Sequence, residues 1–556
     1  MSRYRPRTSR RRAASHAVTA LAVLLAWVAL VAPAPVRGWS PAPLQLLRLP
    51  AEGIVFVAVL LALRRGVPRW FPVAVGLPLG VLLTVRLLDV ALLAAFYRPF
   101  NPLTDWRYVG SAAESLGESS GALTAVLAVV VAGLSLTGLL VLTPLAVGRV
   151  ARVVDRHRRP ALRAVVVASV AWVLCASSGL HTSSDLAVAS SSTAGLAARE
   201  VTSVREGLRD MEAFAAQIPV DSYGHVPPGD LLGALRGKDV LVVFVESYGR
   251  VAVEESPEVA GALTAGASGL RSAGYTSRSA WLTSPTFGGI SWLAHSTLES
   301  GLWVSSPQRY DQLLATGSSD RPRLTLARAF SGAGWRTVDV IPANHRDWPE
   351  GKAFYGYEQV YDARNLGYAG PDFGYAPMPD QYTLSAFDRL ELERRPGRAR
   401  QPVMAEMDLV TSHVPWAPLP HVVDWPAVGD GSIYAAQAAK ATTPDTVWAS
   451  PRGVRTAYGQ SVAYSLDSIV SFLRSTHDRN LVVVMLGDHQ PVSIVSGDHA
   501  DHDVPVSVIA RDPAVLEHIA GWDWQAGLRP GPAAPVWPMD RFRDRFLSAY
   551  SPDNGG

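Results

Sequence analysis

The sequence predicts a protein of two unlike halves: about five transmembrane helices, then an α/β domain whose mostly parallel central sheet is flanked by helices. A chain of 556 residues is too long for one core. From Ala17 to Leu180 it is mostly Ala, Val and Leu, whereas beyond about Glu200 charges are spread throughout. In the more polar half, the continuous apolar runs Asp239–Val245 (DVLVVFV) and Leu481–Leu486 (LVVVML) have the composition of strands buried on both faces.

A hydrocarbon core of roughly 30 Å takes about 20 apolar residues in helix. The runs Ala17–Val36, Leu44–Leu63, Phe71–Phe96, Ala122–Val147 and Ala161–Leu180 meet that length or come near it. Arg48, Pro50 and Glu52 interrupt the start of the second. The first would be a cleavable signal peptide if it stood alone, but the runs that follow argue for its retention. Basic residues in short loops set orientation. They are Arg3, Arg5, Arg7, Arg10, Arg11 and Arg12 in a tail over 1–16; Arg64, Arg65 and Arg69 after the second run; and Arg149, Arg152, Arg156, Arg158, Arg159 and Arg163 after the fourth. The alternate loops, Arg37–Pro43 and Tyr97–Gly121, hold few. The expectation is a multi-pass cell-membrane protein with a cytoplasmic N-terminus and everything after Leu180 outside the cytoplasm. Arg86 and Asp89, inside the third run, share a helix face and read as a mutually neutralised pair.

The net charge is +3, with 18% charged residues. Much of the basic excess is the topological one just described, so no nucleic-acid partner is implied. The single cysteine, Cys175, lies in an apolar run. That excludes a disulfide within the chain and a cysteine metal cluster.

Residues 181–236 read as a linker: a Ser/Thr-rich stretch over His181–Thr193, then an amphipathic helix over Thr202–Gln217 with Val204, Leu208, Met211 and Phe214 on one face. A globular domain follows over 237–513. It has further strands at Thr337–Ile341, Val403–Met407 and Val504–Ala510, and helices at Leu324–Ala333 and Ala457–Arg474. Strands alternating with helices argue for a doubly wound sheet, which binds ligands at the carboxyl ends of its strands. Residues 514–556 read as a C-terminal arm ending in a short helix.

Both apolar runs end in acidic residues: the first in Glu246-Ser247, the second in Gly487-Asp488-His489. Asp followed by His at one strand end supplies oxygen and nitrogen ligands at a point. The plain alternatives are a helix cap or ion pair for Glu246, and an Asx-turn beside an exposed histidine for Asp488. A third element is Thr283–Leu293 (TSPTFGGISWL), where Thr286 precedes a glycine pair and a helix start. Its hydroxyl is either a cap or a nucleophile beside a phosphate-binding helix N-terminus.

Strand–Glu–Ser, a threonine some forty residues on, and a distal strand ending in Gly-Asp-His resemble the alkaline phosphatase superfamily. Within it the chain most resembles sulfatase-like membrane enzymes related to lipoteichoic acid synthase and the lipid A phosphoethanolamine transferases. The resemblance implies a divalent metal ion, zinc or manganese, on Glu246, Asp488 and His489, with Thr286 as fourth ligand and nucleophile; a second ion is left open. It also implies substrate contacts from His413 in Thr411–Trp416 (TSHVPW) and from Trp348 in Asn344–Tyr357. The arginine expected two residues after that tryptophan is Glu350 here, so Lys352, His345 or Arg346 would have to take its place. His499 and His502 lie where related transferases carry another histidine, and a solvated loop histidine fits either position equally well. Classical sulfatases need a cysteine that this chain lacks outside its apolar half.

The function implied is transfer of a phospho-alcohol headgroup from a membrane lipid donor to an envelope glycan or lipid through a phospho-threonine. The alternatives are a phosphoester hydrolase with the same site and a non-catalytic envelope binding protein. No protein partner is implied.

Overall fold

The computed structural model describes residues 7–31, 47–63, 66–96, 100–102, 105–107, 109–110, 122–183, 186–319, 321–393, 400–476, 478–497 and 499–551. Arg3, Arg5, Arg64, Arg65, the loop over 37–43 and most of that over 97–121 lie outside the described residues. The chain divides into two compact units, Met1–Asp210 and Met211–Gly556.

The first unit is helical: α1 (Arg7–Val31), α2 (Ala51–Ala62), α3 (Phe71–Phe96), α4 (Ala122–Arg156) and α5 (Arg158–Ser178). Among the described residues, four stretches, Ala13–Val31, Phe71–Leu92, Leu123–Arg156 and Arg158–Ser178, are long and apolar enough to cross a membrane. The expected second span is different, because α2 has only 12 residues. At ~1.5 Å per residue it is about 18 Å long, short of a hydrocarbon core. Its start is set by Pro50, which is extended (φ −79°, ψ 122°). That residue belongs to a short strand, Leu49–Pro50, paired with Ala189–Ser190. Helices α3 and α4 approach closely where Gly76 and Gly80 face Thr143 and Pro144; a Cβ on either glycine would collide with α4.

Arg86 and Asp89 are both buried, but each has a partner beyond the other. Asp89 Oδ1 accepts from the Phe100 amide at 2.9 Å, and Arg86 Nη2 donates to Thr193 Oγ1 at 3.4 Å. Glu52 Oε1 accepts from the Thr193 and Ala194 amides at 3.0 and 2.9 Å. These amides open α6 (Ser192–Gln217) and are otherwise orphans of its first turn. The amphipathic helix expected from Thr202 thus begins at Ser192. The Ser/Thr-rich stretch before it contains the short strands His181–Ser183, Leu186–Ala187 and Ala189–Ser190.

The second unit is built on a 9-stranded sheet. Its strands are β1 (Asp239–Val245), β2 (Thr276–Thr283), β3 (Arg336–Ile341), β4 (Gln359–Asp362), β5 (Val403–Leu409), β6 (Leu481–Gly487), β7 (Asp503–Ala510), β8 (Gln525–Ala526) and β9 (Val536–Pro538). Across the sheet the order is β8-β2-β7-β6-β1-β5-β3-β4, with β9 also on β2. From β6 to β4 the pairing is parallel throughout. On the other side β7 runs antiparallel to both β6 and β2. The mostly parallel sheet is as expected, and the reversed β7 and the short antiparallel edge strand β8 are the departures from a simple doubly wound order.

Alternate residues of β1 enter two cores: Leu241, Val243 and Val245 on one face, Val240, Val242 and Phe244 on the other. The first face is covered by α7 (Pro257–Ser272), α11 (Asp380–Phe387) and α12 (Pro451–Ser475), the second by α8 (Ser291–Ser300), α9 (Leu326–Gly332), α10 (Pro349–Tyr355) and α13 (Phe542–Tyr550). The segment expected as an arm is part of this core. Its β9 pairs with β2, and Phe542, Phe546 and Tyr550 of α13 are fully buried.

Candidate metal centre

Parallel neighbours β1 and β6 put their carboxyl ends side by side, with Val245 opposite Gly487. A Cβ on Gly487 would run into the Tyr248 carbonyl, so only glycine lets the two strand-end loops cross this closely. The next residues are Glu246, Asp488 and His489, exposed by only 9%, 1% and 1%. One ligand atom from each lies within 4.8 Å of the others. His489 Nε2 is 3.4 Å from Glu246 Oε1 and 3.4 Å from Asp488 Oδ2.

The surrounding hydrogen bonds orient these groups. Asp488 Oδ1 accepts from the Ser247 and His489 amides, each at 2.7 Å. Ser247 has a left-handed backbone (φ 54°), a strained conformation of the kind found at functional sites. It is held by Tyr458, whose hydroxyl donates to its carbonyl at 2.8 Å. His489 Nδ1 is 2.8 Å from the Gln490 carbonyl. That contact makes Nδ1 the protonated nitrogen and leaves Nε2 as an acceptor facing the carboxylates.

Asp488 Oδ2 is buried without a hydrogen-bond partner, although buried polar atoms are normally satisfied. Burial and the adjacent Glu246 charge push Asp488 well above the usual carboxylate range. Burial also works against Glu246; opposing it are the charges that His489 and His413 carry when protonated and hydrogen bonds from Asp488 and Ser247, and the net direction is downward. Two touching buried carboxylates with a bare oxygen and an imidazole acceptor aimed between them suit a divalent cation.

The hydroxyl in contact with this set belongs to Ser291, the first residue of α8. Its Oγ donates to Glu246 Oε2 at 3.0 Å and lies 3.3 Å from His489 Nε2. Thr286 is buried close by, but its Oγ1 donates to the Gly289 carbonyl at 2.5 Å. Its segment is tied to the Asp488–Gln490 loop, since Ser284 Oγ donates to the Asp488 carbonyl at 2.6 Å and the Gly288 amide to the Gln490 carbonyl at 2.9 Å. The expected helix start therefore falls after the glycine pair. Sequence reasoning passed over Ser291 although it lay inside the motif, because a threonine and a serine there carry the same signal.

The substrate-side candidates divide. His413 is near enough to act on Glu246, and its ring stacks on Tyr375 with centroids 3.6 Å apart. Its loop is pinned by buried Asp380, whose Oδ1 accepts from the Thr411 amide at 3.0 Å. His502 is exposed; its Nδ1 is 3.2 Å from the Ser284 carbonyl and its ring lies against Phe287. Trp348 caps α10 and packs on Tyr355, 5.6 Å between centroids. His345, Arg346 and Lys352 are exposed around that helix, and His499 is exposed on a turn.

No protein-family model matches the chain, and no curated protein matches it. Solved structures do. The lipoteichoic acid synthase LtaP from Listeria monocytogenes is 15% identical, covering 62% of this chain and 78% of that one, with a TM-score of 0.40. An alkaline phosphatase superfamily protein from Vibrio parahaemolyticus is 14% identical over 61% and 73%, TM-score 0.36. The integral membrane lipooligosaccharide phosphoethanolamine transferase A from Neisseria meningitidis is 12% identical over 96% and 95%, TM-score 0.38. Likenesses this distant say nothing of activity, which has to be read from the residues of this chain.

Proposed function

We propose that the chain is a membrane-anchored, metal-dependent enzyme of the alkaline phosphatase type. In this reading it transfers a phospho-alcohol headgroup from a lipid donor to an envelope acceptor. The observation that carries this reading is the Ser291 hydroxyl at a helix N-terminus, touching two of the three buried ligand residues. Glu246, Asp488 and His489 would hold a divalent ion, which would supply positive charge to offset phosphoryl oxygens and favour the deprotonated hydroxyl. Ser291 Oγ forms a bond to phosphorus as the phosphorus–oxygen bond to the lipid alcohol breaks, and that alcohol leaves with a proton. An acceptor hydroxyl then attacks the phospho-serine, restoring Ser291. The α8 N-terminus faces the phosphate with backbone N–H groups, and His413 on its Asp380-pinned loop is placed to contact the substrate. Thr286 is the second reading for the nucleophile, because its segment is bonded directly to the Asp488–Gln490 loop.

Incubating the full chain in lipid–detergent micelles with headgroup-labelled phosphatidylglycerol is expected to move the label onto an acceptor lipid or glycan, leaving diacylglycerol. Release of free glycerol phosphate would instead identify a hydrolase. Turnover of water-soluble phosphodiesters with no lipid consumed would exclude the lipid donor.

The side of the membrane follows from parity. All the basic clusters share one side only if α2 crosses along with the four longer helices, despite its length. The second unit then lies outside the cytoplasm; with four crossings it would lie inside. A cysteine introduced by His345→Cys, in a chain with Cys175→Ala, is expected to react with a membrane-impermeant maleimide in intact cells. Labelling only after lysis would reverse the topology.

A further inference from the structure

A second group of ligand-type side chains lies beside the first. His295 Nδ1 is 2.7 Å from Glu406 Oε1 and 3.4 Å from Asp408 Oδ1, and one ligand atom from each residue lies within 4.8 Å of the others. We propose that His295, Glu406 and Asp408 form a second divalent-cation site adjoining the one at Glu246, Asp488 and His489.

The framework is rigid. Glu406 and Asp408 are two apart on β5 and so share a face of the sheet, in register with Val242 and Phe244 of β1. His295 is one helical turn beyond Ser291 on α8, and its ring stacks on Phe244 with centroids 3.8 Å apart. Glu406 Oε2 accepts from the Tyr357 hydroxyl at 2.6 Å, an outer partner of the kind that fixes a ligating carboxylate.

Independent observations point to a cation rather than to a closed salt-bridge network. Asp408 Oδ1 is a buried atom with no hydrogen-bond partner. Glu299 and Asp339, exposed by 0% and 2%, bring further carboxylates against Glu406, and Asp339 Oδ2 also lacks a hydrogen-bond partner. Four acids thus crowd one imidazole, with Arg543 acting on Glu299 from outside the group. Held ionised with no cation, such carboxylates would cost several kcal/mol each. Strands buried in a parallel sheet are normally Val, Ile and Leu, so two acids in the middle of β5 call for compensation beyond the Tyr357 hydroxyl and His295. A bound metal would supply it. One imidazole and two carboxylates suit zinc or manganese. The two groups adjoin: Asp408 lies opposite Phe244, two residues before Glu246, and His295 is on the helix that Ser291 opens. Nothing in this inference depends on which reaction the first site performs.

The test counts metal on the full chain in detergent, loaded with Mn²⁺ alone and desalted, by elemental mass spectrometry and electron paramagnetic resonance. Wild type is expected to hold two equivalents with a spin-coupled signal. His295→Asn and Asp408→Asn, at unchanged size-exclusion elution, are each expected to hold one, giving an isolated-ion signal. Two substitutions are used so that misfolding of one leaves the other informative. One equivalent in wild type that survives Asp408→Asn and is lost in Glu246→Gln overturns this second site alone. Two equivalents that persist in both variants overturn the ligand assignment, and none in wild type overturns both sites together.

Discussion

Ser291→Ala is expected to lower turnover on the order of 10³-fold or more, the size of loss seen when a covalent nucleophile is removed, while the chain keeps its fold and its metal. The physical case is contact. Ser291 Oγ lies 3.0 Å from Glu246 Oε2 and 3.3 Å from His489 Nε2, whereas the Thr286 hydroxyl is committed to the Gly289 carbonyl at 2.5 Å. Removing that bond by Thr286→Ala should cost about 0.5–1.5 kcal/mol of stability and only a modest share of the rate. Steady-state turnover of a chromogenic phosphodiester, with metal content measured on the same samples, separates the two. A dead Thr286→Ala beside an active Ser291→Ala would move the nucleophile back to the threonine. Trapping the phosphorylated enzyme and sequencing the modified peptide gives the same answer without a mutation.

Asp488→Asn is the second large effect, and its two consequences have opposite signs. The Asn side-chain oxygen can still accept the Ser247 and His489 amides that Asp488 Oδ1 accepts now, so the loops should keep their shape. Activity is expected to fall by about 10²–10³-fold or more, because the charge at Oδ2 is gone. Metal-free stability should hold or rise. Burial and Glu246 raise the folded-state pKa of Asp488. The folded protein therefore binds its proton more tightly than the unfolded chain, and stability falls as pH rises above the ordinary carboxylate range. Asparagine removes that loss at neutral pH. In thermal unfolding the apo variant should melt at or above apo wild type. Wild type should gain more from added Mn²⁺ than the variant, which keeps only the second group, by about 2.7 kcal/mol at 100 times the dissociation constant of the first site. An apo variant that melts well below apo wild type, or one that gains equally from Mn²⁺, would contradict this account.

The bearing of sequence on structure differs from element to element. That Glu246, Asp488 and His489 come together was legible because each strand end that carries them follows a run of β-branched residues, and the ends of parallel strands are where such sheets bind ligands. The choice between Thr286 and Ser291 was not legible. Both hydroxyls sit in one short motif, and only the path through Gly288 and Gly289, both at positive φ, sets which of them opens α8. Glu406 and Asp408 were hidden because an acid-containing strand looks half-exposed in sequence. That the face bearing them is buried against α8 depends on β5 lying between β1 and β3.

The membrane half shows the same division. Four long apolar helices were determined by composition alone, since length and hydrophobicity are properties of the segment itself. The shortness of α2 and the separate partner of Arg86 were decided by contacts with residues over a hundred positions away, at 189–193, and that of Asp89 by the chain's return at Phe100. What the sequence determined by itself was the four long apolar helices and the strands β1, β3, β5, β6 and β7, and that two strand ends carry metal-type ligands. These follow from local periodicity and chain order. Only the tertiary structure decided which hydroxyl meets those ligands and that a second acidic set adjoins them, because both depend on side chains brought together from strands and helices distant in sequence.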